Sequence, residues 1–230
     1  MGVCERNALV ARNRWTRVHD LEHARIRTDE QAMCMKAALC GFLAGDGRVT
    51  HQNNNGVHHW ALGIFPDDMM MLSMCVHILE SVYAKTPYIT KKNKFHLLQL
   101  TSRVVVEDLQ EIGTYDTHGW RIPEWIMNDK LCLISWIKGF FSAEAYVGHK
   151  TIRVQTVNQK GMSQLSRALS SLSIKHNCHT YQPRQKTYST VYIIIIAREA
   201  ERSKYARQIG FWHEKKTRAL NKALHSKTNA

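Results

Sequence analysis

Two acids in this chain stand where an acid is unfavourable. Asp46 closes the stretch Leu39–Gly47 (LCGFLAGDG) and Glu144 closes Ile137–Ala145 (IKGFFSAEA), each after an apolar run of helical character. A carboxylate at the C-terminal end of a helix meets the negative end of the helix dipole. Within each stretch two small residues stand four apart, Gly41 with Gly45 and Gly139 with Ala143. They fall on one helix face and leave a stripe almost free of side chains. Two such stripes can approach closely, which would bring Asp46 and Glu144 side by side. Adjacent carboxylates repel each other, so the arrangement makes sense when cations sit between them. Hard cations of the Mg²⁺ type take oxygen ligands and keep several waters, so one carboxylate from each stretch begins a ligand set.

The elements that would position these acids recur. The pattern predicts a helix from about Thr28 to Asp46, strands over Arg48–Gln52 and Val57–Phe65 around a turn at Asn53–Gly56, and a helix over Asp68–Tyr83 opened by Pro66 and Asp67. A hairpin follows, Pro87–Lys91 and Phe95–Arg103 around Lys92–Lys94, then a helix over Val104–Ile112. The same αββαββα order begins again near Asn128, with a helix to Glu144 and strands over Tyr146–Lys150 and Thr151–Val157. A helix over Gly161–Leu172, strands over Lys175–Gln182 and Thr187–Ala197 and a helix over Glu199–Ile209 complete it. The acids are 98 positions apart, and Arg103 and Arg198, each ending a last strand, are 95 apart. A near-constant offset marks a duplicated unit with pseudo-two-fold symmetry. The expected division is an N-terminal extension (1–30), a first half (31–113), a linker (114–127) with Gly119 and Pro123 as breakers, a second half (128–210) and a basic tail (211–230). Extension and tail read as arms reaching phosphate or as solvated ends.

The formal net charge of +13 and a pI near 9.6 point to a polyanionic partner. The distribution says more. No acid occurs between Ala145 and Arg198, where Lys150, Arg153, Lys160, Arg167, Lys175, Arg184 and Lys186 fall. Ser81–Val106 is also acid-free and holds Lys85, Lys91, Lys92, Lys94 and Arg103. Both stretches contain the predicted strands, and a sheet surface stripped of acids reads as facing phosphate. Strand alternation puts Thr151, Arg153 and Gln155 on one face and Ile152 and Val154 on the other. It likewise groups Gln99 and Thr101 with Arg103, and Tyr188, Thr190 and Tyr192 with Arg198. Ile193–Ile196 reads as core strand. Six cysteines without a CxxC spacing read as buried small hydrophobes in a reducing compartment. No apolar run is long enough to span a bilayer, the first residues carry no secretory core, and an intracellular location (cytoplasm, nucleoid or organelle) is expected. No spacing suggests a Ser-His-Asp triad.

With both motifs and the stretch Arg121–Val147 (RIPEWIMNDKLCLISWIKGFFSAEAYV) in view, the chain resembles the LAGLIDADG homing endonucleases in their single-chain, two-motif form. The resemblance implies an α+β fold of two pseudo-symmetric αββαββα halves, with motif helices at the central interface and antiparallel sheets forming a DNA-binding saddle. It implies a monomer that acts as a pseudo-dimer on a long asymmetric double-stranded DNA site, hydrolysing both strands to leave staggered ends. Asp46 and Glu144 would hold Mg²⁺, with Mn²⁺ or Ca²⁺ substituting in binding, aided by the backbone carbonyls of Gly45 and Ala143. Arg103 and Arg198 would join the catalytic shell, followed by Gln155, Asn158, Gln159 and Lys160. The DNA surface would comprise Arg48, Thr50, Gln52, Lys91, Lys92, Lys94, Gln99, Thr101, Lys150, Thr151, Arg153, Gln155, Lys175, Tyr181, Arg184, Lys186, Tyr188, Thr190 and Tyr192. The alternatives are an RNA maturase that binds its host intron RNA and a DNA-binding regulator without catalysis. Two departures stand out: Ala145 where Gly is usual, and Ser142 where relatives often carry an acid. Ala145 would disfavour a positive φ at the helix end.

Overall fold

The computed structural model describes residues 3–93, 95–185 and 187–225. Lys94 and Lys186, two of the expected DNA contacts, lie outside the described residues. Along the chain the elements are α1 (Val3–His23), α2 (Glu30–Asp46), β1 (Gly47–Asn54), β2 (Val57–Ile64), α3 (Met69–Tyr83), β3 (Tyr88–Lys91), β4 (His96–Leu100), α4 (Arg103–Ile112), a short α5 (Glu124–Asn128), α6 (Lys130–Glu144), β5 (Tyr146–Val147), β6 (Ile152–Thr156), α7 (Gln159–Ser171), β7 (Asn177–Tyr181), β8 (Val191–Ile196), α8 (Glu199–Gln208) and α9 (Glu214–His225). The αββαββα order runs from α2 to α4 and again from α6 to α8. The two four-stranded sheets have equivalent orders, β1-β2-β4-β3 and β5-β6-β8-β7, and every pairing is antiparallel.

Short polar residues start the helices. Asp29 accepts from the Ala32 amide and Asp129 from the Cys132 amide, so each motif helix opens on an aspartate cap. Asp68, Ser102 and Asn158 cap α3, α4 and α7 in the same way. Asn55 and Gly56, with φ of 51° and 83°, turn β1 into β2, the positive pair that a two-residue hairpin requires.

The motif helices α2 and α6 form the centre of the molecule. From Lys36 to Ala44 every residue of α2 is buried, as expected of a helix that is apolar nearly all round. The small residues permit the approach: a Cβ on Gly41 would lie 2.0 Å from the Trp136 carbonyl oxygen, and one on Gly139 would lie 2.1 Å from that of Ala38. The contact is reciprocal, as pseudo-two-fold symmetry requires. Trp136, Ile137, Phe140 and Phe141 of α6 then meet Leu39, Phe42 and Leu43 of α2 in one continuous core.

Three expectations about the strands are corrected. Arg103 does not end a strand: β4 stops at Leu100, Ser102 turns inward to cap, and Arg103 is the first residue of α4. Arg198 is the N-cap residue of α8 rather than part of β8. Tyr188 and Thr190 precede β8, because the β7–β8 ladder ends at the Tyr181–Val191 pair. At the termini, α1 is tied to the first half by His19–Glu107 and Glu22–Lys85, both 2.7 Å. The tail forms α9, with Leu220 and Ala223 buried. No helix among the described residues is long and apolar enough to cross a membrane.

Candidate active site

The last residue of α2 is Asp46 and the last of α6 is Glu144, and the small-residue contact brings these ends together. A Cβ on Gly45 would sit 2.7 Å from the Ala143 Cβ, 2.9 Å from the Glu144 Cγ and 3.4 Å from its Oε1. Glycine at 45 is therefore what leaves room for the Glu144 side chain. Ala145 follows with φ −74° and Gly47 with φ −131°, both extended, so neither position needs a positive φ and the alanine causes no strain. The other departure is also explained by the fold. Ser142 is fully buried and its hydroxyl oxygen accepts from the Trp212 amide at 2.8 Å, docking the segment between α8 and α9 onto α6.

Burial raises both carboxyls. Glu144 is pushed up to about 7, first by burial and then by the Asp46 charge, with Lys216 opposing. Asp46 is raised by burial and by Asp67, again against Lys216. Among the described residues neither carboxylate has an ion-pair partner. Two half-buried acids sharing one place, with Lys216 acting on both but ion-paired to neither, form an oxygen-donor set whose two negative charges exceed the one nearby positive charge, and a hard divalent ion fits it.

Lys216, on α9, is the feature that the sequence reading missed. Its Nζ donates to the carbonyls of Ser142 at 2.6 Å and Ala143 at 2.8 Å, in the last turn of α6. These are carbonyls that a helix end leaves without intrahelical partners, and a cation is favourable there. Burial pulls this ammonium downward, and Asp67, Asp46, Glu144 and Asp68 hold it up. The Ala143 carbonyl, expected from the resemblance to assist a metal, thus already carries Lys216. The available sequence signal was the spacing of Leu220, Ala223 and Leu224, which makes the tail amphipathic. Next to it, buried His213 lies 3.4 Å from Asp67 and 3.3 Å from Asp68, and the Glu214 amide donates to Asp68, anchoring α9 on the first half.

Lys216→Met removes charge-assisted hydrogen bonds worth about 1.5–3 kcal/mol each at most and a countercharge for two acids. In metal-free buffer its thermal midpoint should fall by roughly 4–8 °C, and Mg²⁺ should restore part of the loss by supplying charge at the same place. Differential scanning fluorimetry with and without Mg²⁺ measures both; a midpoint unchanged in either buffer would refute the role.

The two arginines are elsewhere. Arg103 donates to Glu107 at 2.8 Å and lies 5.7 Å over Trp60, which pairs with His51, four residues along β1 from Gly47. Arg198 follows Ile196, which pairs with Ile152, and lines a groove with Lys175 and Lys204 beside Ser173. Neither is brought beside the acids. Gln155 is: a groove of about 320 Å³ is lined by Gly45, Gly47, Tyr115, Trp120, Glu144 and Gln155. Asn158 is buried as a structural cap, donating to the Trp120 carbonyl at 2.7 Å and accepting from Arg121 and Gly161.

Each sheet covers helices with one face and leaves the other bare. In the first sheet Val49, Leu62, Ile64, Leu98 and Leu100 share the helix side, so Arg48, Thr50, Gln52 and Gln99 share the bare side, as expected. His59, Tyr88 and Thr90 join them by register. Thr101 continues the Gln99 parity beyond β4, whereas Lys91 pairs with His96 and takes the helix-side parity, contrary to expectation. Lys92 lies just past β3 in the turn. In the second sheet Arg153 and Gln155 share the bare face with Tyr146, Asn177, His179 and Tyr181, and Arg153 donates a hydrogen bond to Gln155. Tyr192 is corrected to the opposite face, because it pairs with Thr156 and packs against the core beside Ile194. The same alternation turns Ile193 and Ile195 onto the bare face, so only half of the isoleucine tetrad is core. Lys150 and Thr151 form the β5–β6 turn, Lys175 precedes β7, Thr190 lies just before β8, and Arg184 and Tyr188 line a groove with Tyr181 between β7 and β8.

Two central helices with adjoining acidic ends, flanked by two equivalent sheets, define a LAGLIDADG-type architecture. Residues 132–210, within the second half, match the model of the LAGLIDADG-like domain. The chain as a whole has the fold of the homing endonuclease I-DmoI. One solved structure, of mesophilic variants of I-DmoI, superposes with a TM-score of 0.63 at 19% identity, covering 79% of this chain and 97% of that one. I-DmoI in complex with DNA and Mn superposes with a TM-score of 0.62 at 18% identity, covering 78% and 97%. Full-length DUF199/WhiA from Thermatoga maritima superposes with a TM-score of 0.56 at 9% identity, over 92% of this chain and 67% of that one. Among curated proteins no match was found.

Proposed function

We propose that this chain is a divalent-metal-dependent, site-specific DNA endonuclease that cuts both strands of a long asymmetric site and leaves staggered ends. The observation that carries this reading is the meeting of Asp46 and Glu144 at the adjoining ends of two pseudo-symmetric helices, without a paired cation. A carboxylate pair beside a polyanion weakens binding by repulsion, so a purely DNA-binding protein gains nothing from it. I-DmoI has been solved in complex with DNA and Mn, with DNA and Ca, and, as a variant, with its target DNA in the presence of Mg, which supports divalent-ion use here. Mg²⁺ is the ion proposed, with Mn²⁺ or Ca²⁺ able to replace it in binding.

When bound, the ion supplies an activated water and neutralises charge on the phosphoryl oxygens. Asp46 and Glu144 hold it from the two halves. Lys216 fixes the end of α6 and sets the charge of the centre, and Gln155 lines the groove next to Glu144, where it can orient water or a base edge. The bare faces bind the duplex as one surface, with Arg48, Gln52, Gln99, Arg153 and Gln155 presented to base edges or phosphates. The chain acts as a monomer in which each half addresses one strand.

The test is incubation of the full chain and Mg²⁺ with a randomised DNA library, followed by sequencing of newly created ends. Recurrent double-strand ends at one long sequence are expected. Complete inertness on all DNA with retained duplex binding would favour the non-catalytic regulator, and preferential binding of structured intron RNA over DNA would favour the maturase. Arg153→Ala tests the surface: affinity should fall by about 5–150-fold, equivalent to about 1–3 kcal/mol, if Arg153 reads a base. A loss uniform over all target variants, with the slope of log affinity against log salt reduced by about 1, would identify it as a phosphate contact instead. Filter binding at several salt concentrations distinguishes these outcomes.

A further inference from the structure

The symmetry that joins the acids also pairs two groups at the opposite pole of the helices. Cys34 of α2 and Cys132 of α6 are 98 positions apart, the offset of Gly41 from Gly139 and of Asp46 from Glu144. Residues related by the axis and lying close to it must face each other. The two thiol sulfurs are 3.4 Å apart, both cysteines are free, and Cys34 is half-buried while Cys132 is buried. Cys34 and Asp46 are twelve helical steps apart, roughly 18 Å, so the pair lies outside the carboxylate centre. The reading of every cysteine as a small hydrophobe does not account for this placement.

We propose that Cys34 and Cys132 are a redox-convertible pair whose disulfide covalently joins the two motif helices. A disulfide bond is about 2.05 Å long, so the sulfurs, already in van der Waals contact at 3.4 Å, must close by about 1.4 Å. The oxidant is a low-molecular-weight disulfide such as oxidised glutathione. Cys34, the more accessible thiol, loses its proton and attacks one sulfur of that molecule, forming a mixed disulfide and releasing the first small thiol. Cys132, held against the mixed disulfide, then attacks the Cys34 sulfur as its proton passes to the departing small thiolate, so the Cys34–Cys132 bond forms, the bond to the small thiol breaks and the second small thiol leaves. Two protein thiols have lost two electrons and two protons, and one small disulfide has become two thiols. The division of labour follows from the surroundings: burial, the neighbouring Cys34 thiol and Asp129 disfavour a Cys132 thiolate, so Cys132 resolves rather than initiates.

The test uses the full chain in glutathione redox buffers of increasing oxidised fraction, with non-reducing peptide mass mapping. Exposed Cys178 serves as the internal reference for a thiol that takes up glutathione. The expected product is an intramolecular Cys34–Cys132 cross-link that raises the thermal midpoint by roughly 5 °C or more, reverses with dithiothreitol, and is absent from Cys34→Ser and Cys132→Ser. Two free thiols at a redox ratio that fully modifies Cys178 would overturn the proposal. So would a persistent glutathione adduct on Cys34 alone, or a cross-link that leaves the midpoint unchanged. Stoichiometric Zn²⁺ binding that blocks the cross-link in the absence of chelator would replace it with a Cys34–Asp129–Cys132 metal site.

Discussion

Replacing Asp46 with Asn, or Glu144 with Gln, should reduce double-strand cleavage by on the order of 10³-fold or more while leaving affinity for the same duplex within a few-fold. The size follows from the chemistry: a carboxylate that holds the ion underwrites several kcal/mol of charge stabilisation, and each 1.4 kcal/mol is a factor of ten in rate. The amides keep shape and remove charge. Binding should persist, because the bare sheet faces are untouched and a repulsion with phosphate is relieved. Cleavage assays on supercoiled plasmid beside gel-shift titrations provide the comparison, and wild-type cutting by either variant would remove the assigned ligands. A second consequence concerns the metal-free protein. Glu144 has a folded value near 7 against an ordinary 4.5, so the folded state holds this proton more tightly than the unfolded chain does. Between those values stability therefore falls as pH rises, and the full penalty is present above about 7. Glu144→Gln should accordingly melt higher than the parent at pH 8 without metal and match it near pH 4.5; Mg²⁺ should raise the parent alone at pH 8. An identical pH profile for both proteins would show that Glu144 does not carry this penalty.

Gly41→Ala and Gly139→Ala should each destabilise the fold by about 2 kcal/mol or more, a fall in thermal midpoint of roughly 4–8 °C. Two effects oppose each other. Alanine gains about 1 kcal/mol over glycine in a helix interior, but here its methyl carbon would stand 2.0 or 2.1 Å from a backbone carbonyl oxygen of the facing helix. A backbone atom cannot rotate away as a side-chain tip can, so the helices must separate, and overpacking wins. The double variant should lose more than cleavage alone would reveal, because separating α2 from α6 moves both acids. Thermal melts of the single variants test the claim; midpoints equal to or above the parent would mean that the helices do not meet at these carbons. Gly45→Ala differs in kind, since it meets the Ala143 methyl and the Glu144 side chain rather than backbone, and its effect should fall on the site more than on stability.

Much of this organisation was legible before any coordinates because it is local and repeated. Small residues four apart and an acid closing each helix are short-range patterns, whereas the caps at Asp29 and Asp129 emerged only with the fold. The recurrence of those patterns at an offset of 98 residues announced two equivalent units and, with it, the facing of Asp46 and Glu144. Strand existence was equally local, since alternation correctly grouped Arg153 with Gln155 and opposed them to Ile152 and Val154.

What sequence could not determine depends on where one element stops and on what distant elements cover. A single residue's difference in where β8 begins, or in its partner, reverses the face assigned to a side chain, and the Thr156–Tyr192 pairing decided that Tyr192 looks inward. The capping hydroxyl of Ser102 ended β4 early and carried Arg103 onto a helix beside Trp60. Most consequentially, α9 lies 70 residues and more beyond α6 in sequence, yet delivers Lys216 to the carbonyls of Ser142 and Ala143. Helical and strand periodicity report which face of an element is apolar; they carry no information about which partner buries it. The sequence thus determined the paired helices and their acids, through spacing and symmetry, whereas tertiary packing alone decided which cation stands beside them, because that contact is made by closure of the chain on itself.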